Sequence, residues 1–331
     1  MKNYAFLIRD LQIRAELRQC LWVLASADIP TIVLKGAALK QAVYGPTDRR
    51  PISDVDLLIK PEDLYDACLA FKQASYLPVY EQLSFFSPFN SNIVGELTFR
   101  GQFGISIDLH WELVSVEWLR KLIPIDLSYV WQTACHLPAP YDEGYQLEPA
   151  VLLIHLCVHL VQHSFAHTVG FKDIVMVLQH YQDFPWAKFL ELSSLWGANT
   201  VCFMILETVA SQHAQLVPVS ILVFLRPPHW KRRLIVSVAD PKEGVAGRLG
   251  RNAKERRYIL HMLMADSLGR FVIFLIWILF PGLTWCAEHY RLTSRTSSCL
   301  AMVWHPFFVL FQGLLSVLAL LPRFSTQEDS E

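Results

Sequence analysis

Apolar residues recur at threes and fours from about Ala5 to Ala27, at Leu7, Leu11, Ile13, Leu17, Leu21 and Leu24. That spacing predicts an amphipathic helix, and Asp28-Ile29-Pro30 ends it. Thr31 to Leu34 then reads as a short β-branched strand, Lys35-Gly36 as a turn, and Ala37 to Val43 as a helix closed by Gly45-Pro46. After a polar loop, Val55 to Ile59 reads as a second strand, and Pro61 opens a helix at a favoured early position. Further strands are expected at Gln82 to Phe86, Ile93 to Arg100 and Gly104 to Trp111. The pattern turns helical from Leu147, with helices expected over Glu148 to Phe165, Lys172 to Tyr181, Trp186 to Trp196 and Thr200 to Gln212. Pro227 to Arg257 is richer in charge, Gly and Pro and is expected to hold loops.

The fold class implied is α+β: a small mixed-sheet domain followed by a mainly helical one. The expected divisions are an N-terminal helix over residues 1–30, an α+β domain over 31–135, and a helical domain over 147–331. Two stretches near the C-terminus carry no charge, Phe271 to Ala287 and Thr296 to Pro322. The second is long enough for a membrane helix, which needs about 20 apolar residues. It is interrupted by His305-Pro306, Gln312 and Gly313, so buried or partner-facing helices are the competing reading.

Composition narrows the picture. With 331 residues, 53% hydrophobic and 18% charged, general disorder is excluded. A formal net charge of −1 argues against bulk nucleic-acid binding. The seven cysteines are scattered and form no CxxC pair, which argues against a disulfide framework or zinc ribbon. Arg9, Asp10 and Arg14 break any N-terminal apolar run, so no export signal is read. A cytoplasmic protein with membrane association as an option is the expectation.

The candidate chemistry lies in two segments. In Ile32-Val33-Leu34-Lys35-Gly36-Ala37, a strand runs through a glycine into a helix, an arrangement that turns backbone N–H groups toward an anion. In Ser53-Asp54-Val55-Asp56-Leu57-Leu58, the strand period puts Asp54 and Asp56 on one face, about 6–7 Å apart. Carboxylates so placed repel unless a cation lies between them, and Mg²⁺ suits such ligands. A solvated pair at a strand end is the bland alternative. A third carboxylate follows in Ile105-Ser106-Ile107-Asp108-Leu109-His110-Trp111, where Ser106, Asp108 and His110 oppose the apolar positions. If the two strands pair, Asp108 joins the same polar face, and three carboxylates can hold two divalent ions about 3.5–4 Å apart.

Strand, glycine turn, helix, DxD strand and a lone Asp on a later strand resemble the DNA polymerase β-like nucleotidyltransferase superfamily. More narrowly, LKG…DxDLL[IV] followed by DLHW is similar to the bacterial nucleotidyltransferase family 5. His155-Leu156-Cys157-Val158-His159, His163 and Asp173-Ile174 resemble that family's helical segment, and Phe280-Pro281 and Tyr290-Arg291 its C-terminal region. The resemblance implies transfer of a nucleoside monophosphate, AMP by preference, from an NTP such as ATP to an unidentified acceptor. It implies Asp54, Asp56 and Asp108 as ligands of Mg²⁺ or Mn²⁺, with Lys35, Gly36, Arg50, Ser53 and His110 contacting the nucleotide. One departure is plain: the superfamily's turn is Gly-Ser, and Ala37 stands in the serine's place. The 18 residues from Gly36 to Asp54 also exceed the usual spacing.

Other residues keep two readings. His110 can position a ligand or partner a carboxylate. His155, His159, His163 and His167 recur every four residues, either as transition-metal ligands or as a polar stripe against the catalytic domain. His159 and His163 with Asp173 can also line a substrate cleft. Tyr44 reads as core, or less readily as a base-stacking ring. The rival functional reading is a weakly active or inactive nucleotide- or partner-binding module. It would dock to a membrane or protein complex through residues 271–322.

Overall fold

The computed structural model describes residues 2–45, 49–79, 95–165, 168–238 and 253–320. The N-terminal helix α1 (Lys2–Ala25) leads into β1 (Ile32–Val33), α2 (Lys35–Ala42) and β2 (Asp54–Leu58). There follow α3 (Leu64–Gln73), β3 (Leu77–Pro78), β4 (Glu96–Arg100) and β5 (Ser106–His110), then α4 (Glu117–Leu122) and α5 (Leu127–Thr133). A two-strand ribbon, β6 (Cys135–His136) and β7 (Tyr145–Gln146), precedes the helices. The strands form one mixed sheet in the order β3-β4-β5-β2-β1-β7-β6.

The α+β expectation holds, and strand alternation explains the two faces. Val55, Leu57, Ile59, Ile105, Ile107 and Leu109 are all fully buried and point at α1 and α3, where they meet Leu17, Leu24 and Phe71. The intervening positions of β2, β5 and β4 (Asp54, Asp56, Asp108, His110, Thr98 and Glu96) stand on the opposite face. Ile32, Leu34 and Leu58 lie on that second face and merge with the helical core.

That core is built by α6 (Pro149–Gln162), α7 (Thr168–His180), α8 (Trp186–Trp196), α9 (Asn199–Gln212) and α10 (Val219–Leu225). Helix α6 starts at Pro149, and the Glu148 carboxylate accepts from the Ala150 and Val151 N–H groups. It is apolar nearly all round, which fits its burial at the centre. Helix α8 ends on Gly197 in the left-handed conformation at φ 70°.

Several expectations need correction. The helix read from Glu148 to Phe165 stops at Gln162, and Ser164 and Phe165 take positive φ. The segment read as loops contains α11 (His229–Val238), and its end overlaps α12 (Ala253–Leu263). On α11, Arg232 pairs with Glu207 at 2.7 Å and Lys231 turns inward to Thr200 Oγ1 at 2.8 Å, while Ile235, Val238 and Leu260 are buried. The strand expected at Gln82 to Phe86, and Ile93 and Val94 of the next, lie outside the described residues, as does His167. The short strands β3, β6 and β7 and the helices α4 and α5 carry too little periodicity to be read.

The C-terminal part consists of α13 (Leu268–Leu279), α14 (Leu283–His289) and α15 (Arg295–Leu320), with Pro281-Gly282 between the first two. Among the described residues, the Arg295–Leu315 part of α15 is the one helix long and apolar enough to cross a membrane. Only 11% of its most apolar window is buried. Ser298 and His305 turn inward, His305 meeting Tyr290 at 2.6 Å and the Ile278 carbonyl at 2.9 Å. Leu300, Val303, Trp304, Phe307, Leu310 and Phe311 turn outward. This is the reverse of the usual polarity of a water-facing helix.

Candidate active site

The central strands set the site's geometry. β2 and β5 pair in parallel, with Asp56 opposite Asp108, Asp54 opposite Ser106 and Leu58 opposite His110. β4 runs antiparallel on the other side of β5, placing Thr98 opposite Asp108 and Glu96 opposite His110. A row of Asp56, Asp108 and Thr98 therefore crosses the sheet, with His110 and Glu96 in the next row. The conditional strand pairing expected from sequence is present, and it brings Asp108 directly beside Asp56.

Asp56 is the most enclosed carboxylate, 4% exposed. Its Oδ1 accepts from Lys35 Nζ at 2.7 Å and lies 3.0 Å from His110 Nε2. Burial opposes its charge, but Lys35 and the His110 contact override burial and hold its pKa well below the usual carboxylate range. His110 Nδ1 in turn lies 3.3 Å from Glu96, so this histidine links two carboxylates.

Asp54 and Asp108 behave oppositely. Burial, reinforced by the negative charge of Asp56, raises both pKa values. Ser53 Oγ donates to Asp54 at 3.0 Å and Thr98 Oγ1 to Asp108 at 2.7 Å, each offsetting part of that rise. The site holds more negative charge than its cations balance. That imbalance, on hard carboxylate oxygens, fits a divalent cation. Among the described residues, though, no three Asp, Glu, His or Cys side chains close on a single point as they stand. Lys35 and His110 occupy Asp56 Oδ1, and Thr98 occupies one oxygen of Asp108.

Lys35 is the first residue of α2 and takes the left-handed conformation at φ 46°. That is costly for a side chain with a Cβ, by about 1–2 kcal/mol. The turn expected at Lys35-Gly36 is thus made by Lys35, and Gly36 serves a different need. A Cβ on Gly36 would lie 2.2 Å from Arg50 Nη1 and 2.9 Å from Cζ, so only glycine admits the Arg50 guanidinium there. Ala37 is 1% exposed and packs toward α1 and α3. A serine hydroxyl at that position would start from a Cβ packed in this core, and Ala37 does not line the cleft between sheet and helices.

Arg50 is 8% exposed and reaches the helical part of the chain. Its Nε and Nη2 donate to the two oxygens of Asp173 on α7, at 2.7 and 2.6 Å. Tyr44 Oη donates to the same carboxylate at 2.8 Å. Tyr44 is therefore a buried partner of Asp173. This three-residue junction fixes α7 over the carboxylate face.

A cleft of about 440 Å³ lies between sheet and helices, within the usual size of small-molecule sites. It is lined by Lys35, Gly36, Arg50, Ser53, Asp54, Asp56, Glu96 and Asp108 from the sheet side, and by His159 and Gln162 of α6, His163 just past its end, and Asp173 of α7. Seven of the eight site residues expected from sequence line this one cleft; His110 stands behind it, holding Asp56. Gln162 donates to Ser115 at its edge. A larger groove of about 700 Å³ near α4, α13 and α14 has Glu112, Glu117, Arg120 and Lys121 on its wall but no carboxylates in strand register.

The histidines of α6 approach the site from behind and above. His155 is fully buried, with neither ring nitrogen hydrogen-bonded, and burial together with the charges of Lys35 and His110 lowers its pKa to about 3. His159 is likewise held well below the usual histidine value, by burial first and then by Lys35. The His159 and His163 rings are 4.6 Å apart. Sequence reasoning missed Thr98 and Glu96, although the alternation Glu96, Thr98, Arg100 on an expected strand was the available signal.

Residues 2–212 match the family described as uncharacterised nucleotidyltransferase. The chain belongs to that family. The match spans the sheet, the carboxylate row and helices α1 to α9, and ends before the apolar C-terminal helices. No curated protein matches the chain. Family membership supports a general role in nucleotidyl transfer.

Proposed function

We propose that this nucleotidyltransferase moves a nucleoside monophosphate, AMP by preference, from an NTP to an acceptor small molecule, peptide or protein, with Mg²⁺ or Mn²⁺ at Asp54, Asp56 and Asp108. The observation that carries this reading is the in-register pairing of Asp56 with Asp108, with Asp54 on the same face. Bound divalent cations would supply charge neutralisation for the triphosphate and activation of the acceptor oxygen. The chain's residues do the rest. Asp54, Asp56 and Asp108 hold the cations, and His110 and Thr98 orient two of those carboxylates. The first turn of α2 offers backbone N–H groups to phosphate. His159 lines the cleft from α6 and is held neutral there by burial and by Lys35, so it adds no positive charge beside the carboxylates. Arg50 is committed to Asp173 and acts on the nucleotide chiefly by fixing the cleft wall. The test is α-labelled NTP with Mg²⁺ and a cell extract as acceptor pool. Label should transfer with wild type and fail with Asp108→Asn; equal transfer by both would overturn the reading.

A second element of the proposal concerns placement. The outward faces of α13 and α15, with Ile273, Ile276, Phe307 and Phe311 more than half exposed, support peripheral docking of a cytoplasmic enzyme on a lipid surface. Flotation with liposomes should carry wild type upward and leave Phe307→Glu/Phe311→Glu behind. Flotation of neither would remove the membrane from the account.

A further inference from the structure

The contact between Lys35 and Asp56 has a consequence for how the site takes up its cations. Lys35 Nζ lies 2.7 Å from Asp56 Oδ1, with the two side chains 18% and 6% exposed. Asp54 and Glu96 add to the negative field around the same ammonium. Among the described residues, Lys35 is the lysine or arginine that pairs with a carboxylate of this face, while Arg50 is paired with Asp173. Its backbone accepts a left-handed conformation at the start of α2 that a non-glycine residue adopts only at a cost. From the start of α2, just after β1, its side chain reaches Asp56 on the neighbouring strand β2.

From this geometry we infer that Lys35 is an internal counter-cation that occupies the metal-binding oxygen of Asp56 until nucleotide arrives. The inference rests on the metal-dependent transferase reading above. A triphosphate entering at the α2 N-terminus offers Lys35 stronger and more numerous anionic oxygens than Asp56 does. Lys35 then turns to the phosphate, and Asp56 Oδ1 is released to a divalent cation. Nucleotide and metal therefore bind with positive coupling, and each tightens the other by the same factor. Without nucleotide the protein holds divalent cations weakly, which keeps an idle site from fixing metal in an unproductive place. His110 is not displaced in this exchange, since it contacts Asp56 and Glu96 from the buried side.

An ammonium within about 4 Å shifts a carboxylate's proton affinity by roughly one to three powers of ten. Its removal should strengthen cation binding at Asp56 by at least about tenfold on the same scale. The experiment is Mn²⁺ binding, read by electron paramagnetic resonance of free Mn²⁺, with and without a non-hydrolysable ATP analogue. The proteins are wild type, Lys35→Met, Lys35→Gln and Asp54→Asn/Asp56→Asn. The expected result is weak Mn²⁺ binding to wild type alone, tightened strongly by the analogue. Either Lys35 variant should bind Mn²⁺ about tenfold or more tighter without analogue, with the analogue adding much less. Equal Mn²⁺ affinity of wild type and folded Lys35 variants without analogue, both lost in the double Asp variant, would overturn the counter-cation role and leave the transferase reading standing. Absence of Mn²⁺ binding in every protein, even with analogue, would overturn both. Should neither Lys35 variant fold, the wild-type titration decides: Mn²⁺ affinity unchanged by the analogue refutes the exchange.

Discussion

The junction of Arg50, Asp173 and Tyr44 invites a double-mutant cycle. Asp173 is 2% exposed and accepts three hydrogen bonds, two from the Arg50 guanidinium and one from Tyr44. Asp173→Ala leaves a guanidinium buried against Gly36 without its carboxylate, and Arg50→Met leaves the carboxylate with Tyr44 alone. Breaking one side of a buried ion pair costs about 3–5 kcal/mol, whereas replacing both sides with apolar groups is often close to neutral. The double variant should therefore be no less stable than either single one, giving a coupling of about 3 kcal/mol or more. Urea denaturation at neutral pH, followed by far-UV circular dichroism, gives the midpoints and slopes from which the four free energies come. Additivity of the two single effects to within about 0.5 kcal/mol would refute the claim that these groups act as one junction. The same variants bear on function. If α7 is fixed over the carboxylates by this contact, the double variant should recover stability without recovering NTP affinity.

Three further outcomes follow from the charge distribution. Asp54→Asn removes a carboxylate that burial and Asp56 disfavour, so it should raise the thermal midpoint of the metal-free protein while abolishing Mn²⁺ binding; a lowered midpoint would contradict the charge excess. Thr98→Val removes the hydrogen bond that restrains the raised pKa of Asp108, so the acid limb of a pH–rate profile should move to higher pH; an unmoved limb would separate Thr98 from the site. His155 has a folded pKa of about 3 against about 6.5 in the unfolded chain, so the unfolded state takes up its proton first as pH falls. The stability from its neutral form is complete above about pH 6.5 and lost progressively toward pH 3, by up to roughly 5 kcal/mol. His155→Leu should flatten stability between pH 6.5 and 4, and an unchanged pH dependence would show that other groups govern acid unfolding.

Much of the site was legible because strand alternation is a strong constraint. The apolar residues Val55, Leu57, Ile107 and Leu109 had to face the core, which sent Asp54, Asp56, Asp108 and His110 to the other side. Parallel pairing of β2 with β5 was only a condition in the sequence, since no local pattern sets the partner or register of a strand. The Arg50–Asp173 contact spans 123 positions, and a single sequence gives no sign of such a pair. Lys35 and Gly36 were read by residue type, which assigns left-handed backbone to glycine. Here Lys35 takes it, and Gly36 is required by the Arg50 side chain instead. The charged stretch after Pro227 resembles loop composition because short helices there carry several charges; burial of Ile235 and Leu260 is what distinguishes them.

The central claim is that nucleotide binds in the cleft through a cation held by Asp54, Asp56 and Asp108. Titration of ATP and the other NTPs, with and without Mg²⁺, into wild type and Asp54→Asn/Asp56→Asn tests it most directly. NTP binding should require Mg²⁺ and disappear in the double variant while the protein stays folded. Binding that survives both the loss of Mg²⁺ and the loss of the two carboxylates, or no binding of any NTP by wild type, would contradict it.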